Sequence, residues 1–91
     1  MTHVLAQFVV KPDKRQEFCT AALTLMAQSK VESGCMLYKL VQKVGEQGTF
    51  GFVEVWKNET ALELHKDTNH YKELVPVLEA CSETFNVVVY T

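Results

Sequence analysis

Four short segments rich in Val, Phe and Tyr alternate with two longer stretches of helical spacing, and few folds accept that order. "HVLAQFVVK" (3–11), "CMLYKLVQKV" (35–44), "TFGFVEVWK" (49–57) and "ETFNVVVYT" (83–91) read as strands. Between the first two, Pro12 and Asp13 open a helix. Phe18, Ala22, Leu25, Met26 and Ser29 then recur along one stripe to about residue 32, and Gly34 sits where a left-handed terminus would fall. "GEQG" (45–48) joins the second and third strands as a hairpin. Asn58 caps a further helix that Asp67, Thr68 and Asn69 interrupt, and Pro76 predicts a kink or restart in its second piece. The order β-α-β-β-α-β predicts an α+β, ferredoxin-like fold with a four-stranded antiparallel sheet, in one domain over residues 1–91.

Both faces of that sheet are apolar. Val4, Ala6, Phe8 and Val10 alternate with Leu5 and Val9; Phe50, Phe52 and Trp56 oppose Val53 and Val55; Phe85, Val87 and Val89 oppose Val88 and Tyr90. Two helices cover one face only, so the other predicts a homodimer packed sheet to sheet. Alternation alone leaves open which face meets the helices.

Composition narrows the function classes. The net charge is −2 from 9 basic and 11 acidic residues, interspersed along the chain, so nothing resembles a phosphate-binding stripe and no nucleic-acid partner is expected. The first residues, "MTHVLAQFVVKPDK", carry neither a basic lead nor a long apolar run, which predicts no signal peptide and no membrane partner. Cys19, Cys35 and Cys81 are odd in number and lack a CxxC pair, as expected of reduced thiols in a cytoplasmic protein.

Three stretches carry a family likeness: "SGCMLYKLVQ", "FVEVWKNETALELH" and "HYKELVPVL". In this order and spacing the chain resembles the antibiotic biosynthesis monooxygenase family of dimeric α/β-barrel proteins. That resemblance implies a dimer with a ligand cavity in each subunit between sheet and helices. It also implies chemistry without a cofactor on quinols or polycyclic aromatics, or the isomerisation of a small phosphorylated carbonyl compound as in the autoinducer-2-degrading branch, which "HKDTNHYK" resembles. The heme-degrading branch fits poorly: Phe8 lies near the position of its first-strand Asn, and no His follows His70 in the last helix.

The candidate site residues are His65, Trp56, Tyr38, Tyr71 and His70. His65 adjoins the apolar stripe of Ala61 and Leu62, where it is either a base near neutral pH or a core-edge ring bonded to a backbone carbonyl. His65 and His70 lie five apart, about 140° around a continuous helix. The Asp67–Asn69 break can redirect His70, but no carboxylate-rich or thiol-rich partner set is evident, so they are expected to have separate roles and not to share a metal. His70 begins the second helical piece and can satisfy backbone groups at the break, or bind substrate. Trp56 ends a strand, where it stacks on a planar substrate or fills the core. Tyr38 and Tyr71 offer phenolic hydrogen bonds, and Glu54, among aromatics, is expected in a dimer-contact ion pair or as a functional acid. Three functions are compatible with these residues. The first is a cofactor-free monooxygenase on a quinol-like aromatic, with His65 as base. The second is a phosphorylated-carbonyl isomerase using Lys66, Lys72 or Lys39. The third is a non-catalytic binding dimer.

Overall fold

The computed structural model describes residues 1–91. It contains β1 (Thr2–Val10), a 3-10 turn (Pro12–Lys14), α1 (Arg15–Ser29), β2 (Cys35–Gln42), β3 (Thr49–Trp56), α2 (Glu59–Lys66), α3 (Asn69–Ala80) and β4 (Ser82–Tyr90). The strands form one antiparallel sheet in the order β2-β3-β1-β4. This is the ferredoxin-like arrangement expected from the order of elements.

The helices lie against the face that carries Val4, Ala6 and Phe8 from β1 and Phe50, Phe52, Glu54 and Trp56 from β3. All of these are buried. Phe18 and Leu25 of α1 and Leu78 of α3 close over them, and Phe18 packs 5.3 Å from both Phe8 and Phe50, ring centre to ring centre. Each fully buried side chain of this size contributes about 1.5–3 kcal/mol, so the aromatic rows of β1 and β3 anchor the layer. The opposite face carries Leu5, Leu37, Val41, Val88 and Tyr90, all exposed.

A register shift between Cys35 and Leu37 sets Tyr38 directly opposite Glu54 on the helix side, while Leu37 falls opposite Val55 on the open side. Without that irregularity the β2 side chains would exchange faces.

Two local expectations are corrected. First, α1 ends at Ser29, and Gly34 is not left-handed: the one glycine with positive φ is Gly45, in the β2–β3 turn. Gly34 is needed for close approach instead, because a Cβ there would collide with the Cβ of Ala61 in α2. Second, α3 runs through Pro76 without restarting. Proline lacks the N–H for one helical bond, yet fully buried Leu78 and part-buried Leu74 and Val75 pack against the core on either side and hold the helix. The interruption expected at Asp67–Asn69 is present: α2 stops at Lys66, and the Thr68 hydroxyl caps α3 by accepting from the Tyr71 N–H.

Candidate active site

The interruption between α2 and α3 decides the site. On a continuous helix His65 and His70 would point apart. The new helix begun at Asn69 turns His70 back, and both rings meet the same oxygen of Glu32: His65 Nδ1 lies 2.6 Å and His70 Nε2 2.8 Å from Glu32 Oε2. The two histidines, expected to have separate roles, therefore share one partner. Glu32, in the turn after α1, was not among the residues singled out by sequence. Nothing in its local pattern distinguishes it, and it becomes a site residue only through contacts with residues far along the chain.

An ionised carboxylate only accepts, so each ring presents it an N–H. For His65 this places the proton on Nδ1 and leaves Nε2 with its lone pair. The ring is almost fully buried and borders a cavity between sheet and helices. Burial pulls its pKa below the ordinary imidazole value, against the opposing pull of Glu32, so the ring is held in its neutral, basic form.

The cavity holds about 70 Å³. Its wall is apolar, with Val4, Ala6, Leu25, Leu62, Val75 and Leu78 contributing, and its polar groups are Tyr38, Glu54, His65, Lys66 and Tyr71. It opens past Val87 and Val89 of β4, which the helices leave exposed. A broader hollow of about 460 Å³ lies on the open side of the sheet over Leu5, Gln7, Val41 and Val88, but Lys43 is its sole titratable neighbour. The smaller cavity is where the chemistry gathers.

Of the residues singled out by sequence, His65, Tyr38 and Tyr71 line this cavity, while Trp56 and His70 do not. Trp56 is completely buried behind His65, its ring 4.4 Å from the imidazole, and its indole N–H donates to Glu54 Oε1 at 2.9 Å. Strand alternation groups it with Phe50 and Phe52 but gives neither the side that meets the helices nor its depth; in the fold Trp56 supports the histidine from behind. His70 sits on the far side of Glu32.

Glu54 is not in an ion pair. It faces the cavity, only 6% exposed, and no cation lies within salt-bridge distance of it. Burial raises its pKa to about 7, against the hydrogen bond from Trp56. Burial and the neighbouring Glu54 also push the Tyr38 and Tyr71 phenols up, which keeps both as donors. A base, two phenols and a carboxyl whose burial favours its protonated form thus surround one small apolar space.

The lysines considered for phosphate binding are dispersed. Lys66 reaches the cavity rim but lies 3.4 Å from Glu63, Lys72 pairs with Asp67 at 3.0 Å, and Lys39 stands on the opposite face beside Val53.

Residues 1–77 match the antibiotic biosynthesis monooxygenase family, and the chain belongs to it. It is 43% identical over 70 residues to "Putative monooxygenase YcnE" of Bacillus subtilis (strain 168), covering 77% of this chain and 74% of that one. It is 38% identical over 72 residues to an uncharacterized Synechocystis protein, sll1783, covering 79% of this chain and 49% of that relative. Among solved structures, a conserved protein from Methanosarcina mazei Go1 superimposes with a TM-score of 0.95 at 31% identity, over 98% of this chain and 89% of the other. A further structure described as an antibiotic biosynthesis monooxygenase gives 0.95 at 29% identity, over 100% and 97%. No helix is long and apolar enough to cross a membrane.

Proposed function

We propose that the protein is a cofactor-independent monooxygenase acting on an electron-rich aromatic of the quinol type. The observation that carries this reading is the cavity itself: an apolar slot whose polar end presents a neutral imidazole, two phenols and a buried carboxyl, with a single lysine at its rim. An anionic phosphate group would meet Glu54 there and find no cluster of cations, so the slot suits the hydroxyl-bearing edge of a flat neutral ring and not a phosphorylated carbonyl.

In this mechanism His65 Nε2 removes the proton of a ring hydroxyl, with Glu32 holding the opposite nitrogen protonated and the ring in place. The phenolate delocalises its charge and passes an electron to oxygen. One oxygen atom then forms a new C–O bond, and the other leaves as water with two hydrogens from the substrate. A dihydroxyarene thus becomes a hydroxyquinone, and the substrate itself supplies all the electrons. Tyr38 and Tyr71 donate to the substrate oxygens, and the dry wall protects the anion from solvent.

The cavity is smaller than the roughly 150 Å³ that takes up a benzene ring in an engineered core. Only the reacting edge of a fused-ring substrate is therefore expected inside, with the remainder extending past Val87 and Val89. We further infer that two copies pair through the open sheet face, where Leu5, Leu37, Val41, Val88 and Tyr90 otherwise leave an apolar surface in water. The three free cysteines, one buried and two partly so, suit a cytoplasmic setting.

Ligand class is tested by recording amide NMR spectra with 1-naphthol, which has the ring and hydroxyl but resists rapid oxidation, and with glycerol phosphate. Saturable shifts at Tyr38, Leu62, Tyr71 and Val75 with naphthol alone are expected. Shifts at those residues with glycerol phosphate alone would favour the isomerase instead.

A further inference from the structure

The cluster of Glu32, His65 and His70 has a second capacity. We propose that it is a binding site for a transition-metal dication of the zinc or cobalt type, and that occupancy silences the base on the cavity side. One carboxylate oxygen and two imidazole nitrogens, the candidate ligand atoms, lie within 4.8 Å of one another. They come from three separate elements: the turn after α1, the last turn of α2 and the first turn of α3. The side chains are 2%, 16% and 17% exposed for His65, Glu32 and His70, so a bound ion would be largely sheltered from water.

The donor set selects the ion. Two imidazoles and one carboxylate suit zinc, cobalt, nickel or copper better than calcium or magnesium, which prefer oxygen ligands throughout. Three protein ligands with a fourth position open to water is a common zinc arrangement. Metal–ligand bonds of about 2.0–2.1 Å in a tetrahedron separate the ligand atoms by about 3.3 Å. The two contacts to Glu32, now 2.6 and 2.8 Å, need to widen by about 0.5–0.7 Å, and the two rings need to draw together. Rotation of His70, at the start of α3 and partly exposed, supplies much of that movement. The ion would replace two N–H···O bonds that share one oxygen, and one carboxylate with two neutral rings leaves a net negative site for it.

The consequence lies in the tautomers. Metal on His65 Nδ1 requires the ring proton to move to Nε2, and the corresponding shift on His70 puts its proton on Nδ1. Both rings stay neutral, so no proton need be released. The nitrogen that His65 offers to the cavity then changes from acceptor to donor and cannot take a substrate proton. This effect on turnover rests on the role proposed for His65; the binding itself does not, and the test reads binding alone.

Protein stripped with a chelator is titrated with cobalt(II), following the visible d–d bands, and the cobalt is then displaced with zinc. The wild type is expected to take up one ion per chain with the intense spectrum of four-coordinate cobalt. Nitrogen-15 NMR of the histidine rings should show the His65 proton passing from Nδ1 to Nε2 on zinc addition. His70→Ala and Glu32→Gln, each first shown to keep the wild-type circular dichroism spectrum, are expected to weaken binding by at least about tenfold. Unchanged cobalt binding in His70→Ala, a pale six-coordinate spectrum in the wild type, or a thiolate charge-transfer band placing the ion on a cysteine would each overturn the proposal.

Discussion

Replacing His65 with alanine is expected to lower kcat by about 10²–10⁴-fold, the range lost when a positioned general base is removed. KM should change far less, because the wall of the cavity comes mainly from Leu25, Leu62, Val75 and Leu78, which the substitution leaves in place. The imidazole is nevertheless buried, packed against Trp56 and bonded to Glu32, so its deletion leaves a hole and takes one of the two histidine partners from that carboxylate. His65→Gln is the companion variant: its amide can still donate to Glu32 but cannot act as a base. A similar fall in kcat for both variants, with thermal unfolding near the wild-type temperature for the glutamine form, assigns the loss to chemistry. Undiminished turnover in His65→Gln would remove this residue from the mechanism.

Glu54→Gln should change how stability depends on pH. The Glu54 carboxyl rises from an ordinary value of 4.5 to about 7 in the folded chain, chiefly through burial. Between those values the folded state holds a proton that the unfolded state has released, so stability falls as pH rises through this window. The penalty is complete above pH 7 and amounts to about 3 kcal/mol, as an order of magnitude. Glutamine stays neutral and still accepts from the Trp56 indole N–H, so the variant lacks this penalty. Urea unfolding at a fixed protein concentration should show the variant gaining on the wild type by up to that amount between pH 4 and 8. The comparison isolates Glu54, because its neighbours Tyr38, Tyr71, Glu32, His65 and Lys66 are common to both proteins. Parallel pH curves would mean that Glu54 ionises in the fold without cost, and the acid at the polar end of the cavity would lose its special character.

The fold was legible because its periods are clear. Alternation in β1 and β3, the stripe of Phe18, Ala22 and Leu25, and the Asn58 cap are local patterns, and the elements fall close to where those patterns put them. The site was only half legible. His65 could be read because it adjoins the apolar stripe of Ala61 and Leu62, and Tyr38 and Tyr71 because their phenols can bond a substrate oxygen. Glu32 could not: it sits 33 residues from His65, in a turn without pattern, and its role exists only once α1 and α2 are packed. The break at Asp67–Asn69 can turn His70, but the partner it turns to, Glu32, is far off in sequence, so the meeting of the two rings is not legible. Alternation puts Trp56 and Glu54 on one face with Phe52, but it carries no information about which face meets the helices or about depth. Gly34 shows the same limit, since its need for a bare Cα arises from Ala61 on another element.

The most direct test of the central claim is oxygen consumption by chelator-treated, flavin-free protein given a panel of naphthohydroquinols, each measured against its own autoxidation without protein. The account predicts saturable uptake above that background for at least one member, with one oxygen atom appearing in a hydroxyquinone product and uptake abolished in His65→Gln. Uptake equal to background for every member, with naphthol binding intact, would contradict it and leave the cavity as a binding site without oxygen chemistry.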